Sequence, residues 1–420
     1  MTLTVAGLLA AGKGILAADE SPPTIGKRFA ALNIPATEEN RRAYRATLCT
    51  TPALGEFISG AILFDETLRQ KSDGGVPFPK LLARQGIISG IKVDHGTITL
   101  ANFPGEKITQ GLDGLRERLA GYRKLGARFT KWRAVIAIGD RLPTAACIAA
   151  NAGPLAQFAA LSQEAGLVPI VEPEVLMNGN HTLARCEEVT GLTLHAVFAA
   201  LVAHRVELEM MLLKTGMVLP GKDCLSQAGP GKVAEATLRC LRRSVPPAVP
   251  GIVFLSGGQS DVAATERLNA ICQAGDAPWK LSFSFGRALQ DAAMKTWAGA
   301  TANSAVAQAA LLHRARCNSL AAQGRYSVQA EREATAAETD SCRDQEILPV
   351  SADKNKNMKT PKSSAGRGTV RSVEKTSRPQ SPLVSSAAEA KRESARLRRG
   401  RTSLESAPTT AETDIRSSLI

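Results

Sequence analysis

The chain is 420 residues long with a formal net charge of +13 and 4% aromatic residues, the last of them Tyr326, so a large core has to be complete near that point. Between Ser351 and Ile420, 15 Lys and Arg face 7 Asp and Glu, so +8 of the +13 lies in that stretch and the rest of the chain is mildly basic. This disfavours a nucleic-acid-binding body and fits either a protein of anionic metabolites or a plain solvated surface. The 8 cysteines include no CxxC pair, which argues against zinc-ribbon, iron–sulfur and disulfide-framework classes and for a reducing compartment, expected to be the cytoplasm.

Met1–Leu16 is apolar but has no basic leading segment, and no run looks long enough to span a bilayer, so a soluble protein is expected. Gly7-Leu8-Leu9-Ala10-Ala11-Gly12-Lys13 has the spacing of a nucleotide-binding P-loop. Gly14 stands where Ser or Thr would hold magnesium, however, and a strand-like run follows instead of a helix, so Gly12 and Gly14 read as turn residues. From there, short β-branched runs alternate with longer amphipathic ones, as parallel strands do with crossover helices. A strand over Gly14–Asp19 precedes a helix over Thr37–Leu48, whose Thr-Glu-Glu-Asn opening sets acids at the positive end of the helix dipole. Strands over Gly60–Asp65 and Ile87–Asp94 follow, then a helix over Gly111–Leu125 and a strand over Phe129–Ala137. A helix over Ala152–Ala165, a strand over Leu167–Glu172, a helix over His181–Ala203 and a strand over Leu208–Lys214 continue the pattern. A helix over Gly231–Arg243 and strands over Gly251–Ser256 and Leu281–Ser284 complete it. The expected organisation is one α/β domain over 1–328, a (β/α)₈ TIM barrel, followed by a low-complexity basic tail over 329–420. That tail is expected to be disordered, with Glu389–Arg399 a solvated charged segment rather than a short basic helix.

Polar residues end or interrupt nearly every apolar run: Asp19, Asp65, Lys92, Lys131, Glu172, Lys214, Ser256 and Ser284. Any single strand end meeting water could carry one, but in a closed barrel such ends converge on one mouth where the loops build an active site. Lys214 in Leu212-Leu213-Lys214 is the sharpest case. Either its head reaches solvent along a buried stem, or desolvation and a neighbouring cation favour the neutral amine, which attacks a ketone to give a Schiff base. Lys131, in Phe129-Thr130-Lys131-Trp132-Arg133, would be that cation. Glu172 and Glu174 share one face of their strand and would shuttle protons or form an ion pair, while Asp19 would deprotonate a substrate hydroxyl or cap a helix. After the last two strands, Ser256-Gly257-Gly258 and Ser284-Phe285-Gly286-Arg287 offer bare backbone N–H groups and an arginine, the phosphate site expected at these loops of a barrel.

Taken together and in this order, these residues resemble class I fructose-bisphosphate aldolase from about Gly12 to Tyr326. The matching segments are Gly12–Ser21, Thr37–Tyr44, Ile91–Asp94, Thr109–Leu115, Lys131–Arg133, Val168–Glu174, Leu255–Ser260 and Asn318–Tyr326. The resemblance implies a lyase of glycolysis and gluconeogenesis that cleaves fructose 1,6-bisphosphate reversibly to dihydroxyacetone phosphate and glyceraldehyde 3-phosphate. It makes Lys214 the Schiff-base lysine, Glu172 the proton shuttle, Asp19 the acceptor of the C4 hydroxyl proton and Lys131 the charge beside the breaking bond. Ser256, Gly257, Gly258, Ser284 and Gly286 would cradle one phosphate beside Arg287, and Arg28, Lys92 and Arg133 would contact substrate or its second phosphate. The implied partners are small sugar phosphates and identical subunits in a homotetramer, with no membrane or nucleic acid. No metal or other cofactor is implied, because the Schiff base is the electron sink. The sequence departs from the family pattern at Thr215-Gly216 after the lysine, at Met210, at Ser21-Pro22-Pro23-Thr24, at His95 and in ending without a tyrosine. These departures leave a catalytically impaired binding or scaffold paralogue as the alternative expectation.

Overall fold

A computed structural model of the chain describes residues 1–333. Eight parallel strands close into a barrel: β1 Gly14–Ala18, β2 Ile58–Leu63, β3 Ile88–Lys92, β4 Phe129–Ile136, β5 Val168–Val175, β6 Leu212–Thr215, β7 Gly251–Phe254 and β8 Lys280–Phe285. Each pairs with the next in the chain, and β8 returns to β1 through Ile15 opposite Ser284 and Leu16 opposite Phe285. This is the TIM barrel expected from the sequence, with helices alternating around it.

The pleat sorts side chains into two cores. Ile15, Ala17, Ile62, Phe129, Val168, Ile170, Leu212 and Val253 point inward and form a cluster of their own. The larger cluster lies between barrel and helices, as with Phe29, Tyr44 and Trp297. The inner space is filled to the limit: a Cβ on Gly90 would stand 2.2 Å from the Phe129 ring. Val5, Leu8 and Leu9, from the helix Thr2–Leu8 and the residue after it, close the barrel floor, and a Cβ on Gly251 would meet Leu9 at 2.4 Å. Ser59 Oγ donates to the Leu8 carbonyl at 2.7 Å and Lys13 Nζ to the Gly55 carbonyl at 2.5 Å. The P-loop-like spacing thus belongs to a hydrophobic plug and the turn above it, in which Gly12 has a φ of 69°.

Several boundaries differ from the sequence reading. The helix expected over Ala152–Ala165 spans Ala145–Glu164, starting where the Thr144 side chain accepts from Cys147 N, and it carries Pro154 inside. This helix and Leu183–Ala203 are long and apolar enough to cross a membrane by length and composition, contrary to expectation; one face of each, with Leu155, Phe158, Val197 and Leu201, is buried in the core, while Leu192 and Val202 are exposed. Leu208–Met210 is a 3₁₀ turn ahead of the short β6. β2 ends at Leu63, so Asp65 starts the helix Asp65–Arg69 and binds Arg69 at the positive helix end instead of facing the mouth. A helical turn over residues 328–333 straddles the domain boundary expected at 328/329, held by Arg314 to Glu331 and by Tyr326 OH to Glu331 at 2.7 Å. The rest of the expected tail, Glu389–Arg399 included, lies outside the described residues.

Candidate active site

Alternation carries the inward face from apolar to charged along four of the strands. Lys92 follows Gly90 on β3, Lys131 and Arg133 follow Phe129 on β4, Glu172 and Glu174 follow Ile170 on β5, and Lys214 follows Leu212 on β6. With Asp19, Arg28, Ser256, Gly257, Ser284, Gly286 and Arg287 they line one cavity of about 230 Å³. A larger groove of about 760 Å³ runs between the outer helices Pro230–Ser244 and Asp261–Gln273, but no barrel-strand residue reaches it.

The centre of the cavity is a chain of alternating charges. Lys214 Nζ lies 3.2 Å from Glu172 Oε1, and Glu172 Oε2 lies 3.3 Å from Lys131 Nζ. Lys131 Nζ also meets Asp19 at 2.7 Å and Asp94 at 3.9 Å, and Asp94 is 2.5 Å from Lys92 Nζ. Lys214, Lys131 and Glu172 are 3–4% exposed, so neither lysine reaches bulk water and the solvent-seeking reading of Lys214 does not hold. Burial alone would raise the Asp19 carboxyl, but Lys131, then Lys214 and Lys92, outweigh it and hold the group at about 2. Burial would likewise lower the Lys131 ammonium, but Asp19, Glu172 and Asp94 overcome it and raise it above the ordinary lysine range. Lys131 is therefore a fixed cation.

The opposite wall is made of glycines, serines and an arginine. Gly257 and Gly258, with φ of 57° and 94°, turn the chain after β7, and Gly286 precedes the helix Arg287–Trp297, whose first residue lines the same cavity. Gly258 is the one expected site residue outside the cavity lining; it backs Arg287, whose guanidinium would stand 3.3 Å from a Cβ placed there. Ser284 Oγ is buried with no hydrogen-bond partner, a donor available to an incoming oxygen. Two expected phosphate contacts are already engaged: Arg133 pairs with Glu174 at 2.5 Å, and Arg28 is held by Glu20 and by Asp291 at 2.7 Å.

Sequence reasoning missed Glu20 and Asp94 as members of the site. Glu20 accepts from Arg45 at 2.7 Å and from Gln290 at 3.3 Å besides holding Arg28. Arg45 and Gln290 are distant in sequence and leave no local signal. The departure at Thr215-Gly216 is absorbed by the ladder: Thr215 stays in β6 opposite Phe254, and its carbonyl accepts from Leu255 N at 2.9 Å. Ser21-Pro22-Pro23-Thr24 becomes the start of the helix Pro22–Ala30, where a proline needs no N–H partner. Elsewhere, His313, Cys317 and Glu331 come within 4.8 Å of one another, but the Glu331 carboxylate already serves Arg314 and Tyr326.

A family model described as fructose-bisphosphate aldolase class-I matches residues 1–346. The chain belongs to the class I fructose-bisphosphate aldolase family. A probable fructose-bisphosphate aldolase class 1 of Xylella fastidiosa is 56% identical over 324 residues, 77% of this chain and 97% of the relative. The cytosolic fructose-bisphosphate aldolase 5 of Arabidopsis thaliana is 53% identical over 78% of this chain and 92% of its own length. The chloroplastic fructose-bisphosphate aldolase 1 of Chlamydomonas reinhardtii is 52% identical over 78% and 87%. Among solved structures, fructose-bisphosphate aldolase from Plasmodium falciparum, crystallised with TRAP and a small-molecule inhibitor, superposes with a TM-score of 0.77 at 50% identity, covering 78% of this chain and 94% of that one. As a family member the chain is a lyase of glycolysis acting on fructose 1,6-bisphosphate, and nothing in these comparisons favours the impaired-paralogue alternative.

Proposed function

We propose that Lys214 performs this cleavage through a Schiff base, with Glu172 as its proton shuttle. The observation that carries the reading is the buried row Lys214, Glu172, Lys131, in which one carboxylate stands 3.2 Å from the first amine and 3.3 Å from the second. Glu172 takes a proton from the Lys214 ammonium, and the neutral Nζ attacks the C2 carbonyl of the open-chain sugar. Glu172 protonates the carbinolamine hydroxyl, which leaves as water, and the iminium results. Asp19 then takes the C4 hydroxyl proton as the C3–C4 bond breaks and its electrons pass into the iminium, releasing glyceraldehyde 3-phosphate and leaving an enamine. Protonation at C3 and hydrolysis return dihydroxyacetone phosphate and free Lys214.

A carboxyl held at about 2 is a weak base while Lys131 faces it. Substrate entering between the two lengthens their 2.7 Å contact and lets the Asp19 carboxyl rise towards a proton-accepting range. Lys131 stays charged beside the breaking bond, and Glu174 holds Arg133 at the edge of the site. Ser256, Gly257, Gly258, Ser284, Gly286 and Arg287 take one phosphate. Lys92, Arg28 and Arg133 take the other, Arg28 exchanging the partly exposed Asp291 for it. The iminium is the electron sink, so the chemistry needs no metal or cofactor. A cytoplasmic homotetramer completes the reading, supported by the cytosolic relatives and the family resemblance.

The test is borohydride reduction in the presence of dihydroxyacetone phosphate and a chelator, followed by peptide mapping. Label on Lys214 together with metal-independent turnover supports the reading. Turnover without label there would overturn it.

A further inference from the structure

Asp94 lies just beyond β3 and is buried, its side chain 3% exposed. One carboxylate oxygen accepts from Gly96 N at 3.1 Å and the other from Arg133 N at 3.2 Å. The second bond has a topological origin. β3 stops at Lys92 while β4 continues to Ile136, so the Arg133 N–H has passed the end of its neighbouring strand and the Asp94 side chain takes the place of the ladder. The same two oxygens meet Lys92 Nζ at 2.5 Å and Lys131 Nζ at 3.9 Å, and Lys92 also donates to the Asp94 carbonyl at 2.6 Å.

We propose that Asp94 is a positioning residue for carbon–carbon bond cleavage, a backbone-anchored anion that fixes where the ammonium groups of Lys131 and Lys92 stand. Lys131 has three carboxylate neighbours, and two of them, Asp19 and Glu172, change protonation during the proposed cycle. Asp94 touches no reacting atom and is tied to the backbone on both oxygens, so it is the one constant reference. When Asp19 accepts its proton, Lys131 loses its closest anion, and Asp94 keeps the ammonium beside the cleaving bond. Lys214 pairs with Glu172 and makes no contact with Asp94, so Schiff-base formation is separable from this role.

The inference rests on the Schiff-base reading, and Asp94→Asn tests it in the full chain. That substitution keeps the shape and removes the charge. The expected result is a fall of about 100-fold in kcat for fructose 1,6-bisphosphate cleavage, the size of effect that a misplacement of about 1 Å produces. Borohydride trapping of dihydroxyacetone phosphate on Lys214 should keep the wild-type rate, although the thermal midpoint falls, because the amide nitrogen cannot accept from a backbone N–H as the second oxygen does. Unchanged cleavage overturns the proposal, as does a parallel loss of cleavage and trapping, which is what a merely structural residue gives. If Asp94→Asn does not fold, Asp94→Ser is judged by the same split, and failure of both to fold makes Asp94 a folding residue and overturns the proposal. Failure of the unsubstituted protein to trap would instead count against Lys214 as the Schiff-base residue.

Discussion

Replacing Lys131 with Met removes the central cation and nothing else of comparable size. Glu172 keeps Lys214 at 3.2 Å and Asp94 keeps Lys92 at 2.5 Å, so the loss falls on Asp19, whose 2.7 Å partner is gone. Asp19 is held at about 2 against an ordinary 3.8, and its side chain is 12% exposed. At about 1.4 kcal/mol per pKa unit, that depression contributes about 2 kcal/mol to folding. Because the folded value is the lower one, the contribution is complete above 3.8 and is lost as the pH falls through the folded value. Without Lys131 the largest lowering influence disappears, and only Lys214 and Lys92 are left to oppose the upward push of burial. Lys131→Met should therefore be less stable than the parent by about 2 kcal/mol at neutral pH, with the gap narrowing as the pH drops from about 4 towards about 2. Urea unfolding followed by the fluorescence of the buried Trp132, Trp279 and Trp297 reads the difference. Equal stability at neutral pH, or a deficit that grows on acidification, would refute the electrostatic account of this site.

Glu172→Gln should slow borohydride trapping on Lys214 by about 100-fold, since the general acid is lost while the amine remains; trapping at the parental rate would place the proton shuttle elsewhere. Gly90→Ala should cost about 1–3 kcal/mol by forcing a methyl group into the Phe129 ring, and the double variant with Phe129→Leu should recover part of it in a thermal melt. Gly258→Ala asks a left-handed backbone of a residue with a side chain and crowds Arg287. It should raise KM for fructose 1,6-bisphosphate about tenfold with kcat nearly kept, and an equal loss in kcat would show that the loop shapes the transition state rather than holding a phosphate.

The barrel was legible because polar residues interrupt apolar runs at matching places, and seven of those eight residues do reach the mouth. Asp65 does not, because an acid two residues past a strand is equally suited to start a helix, and composition does not separate the two uses. The helix starts at Ala145, ahead of the expected Ala152, because Thr144 supplies the cap there, and the flanking layers stabilise a helix that Pro154 leaves with one bond missing. Asp94 carried a usable signal. It stands two residues beyond Lys92, with the parity of the inward face, and that alternation pointed to the mouth. Glu20 carried none, since Arg28, Arg45 and Gln290 come together only after β1 and β8 have met.

The plug under the barrel imposes an order on synthesis. Val5, Leu8 and Leu9 gain their full burial only when β8 closes against β1, and Lys280, which donates to the Leu9 carbonyl, is made 271 residues later. At ribosomal rates that is a delay of roughly 15–50 s, during which an apolar segment has no finished cavity to enter. Nascent chains stalled before Leu281 should therefore show this segment open to protease or chaperone, and release past β8 should hide it.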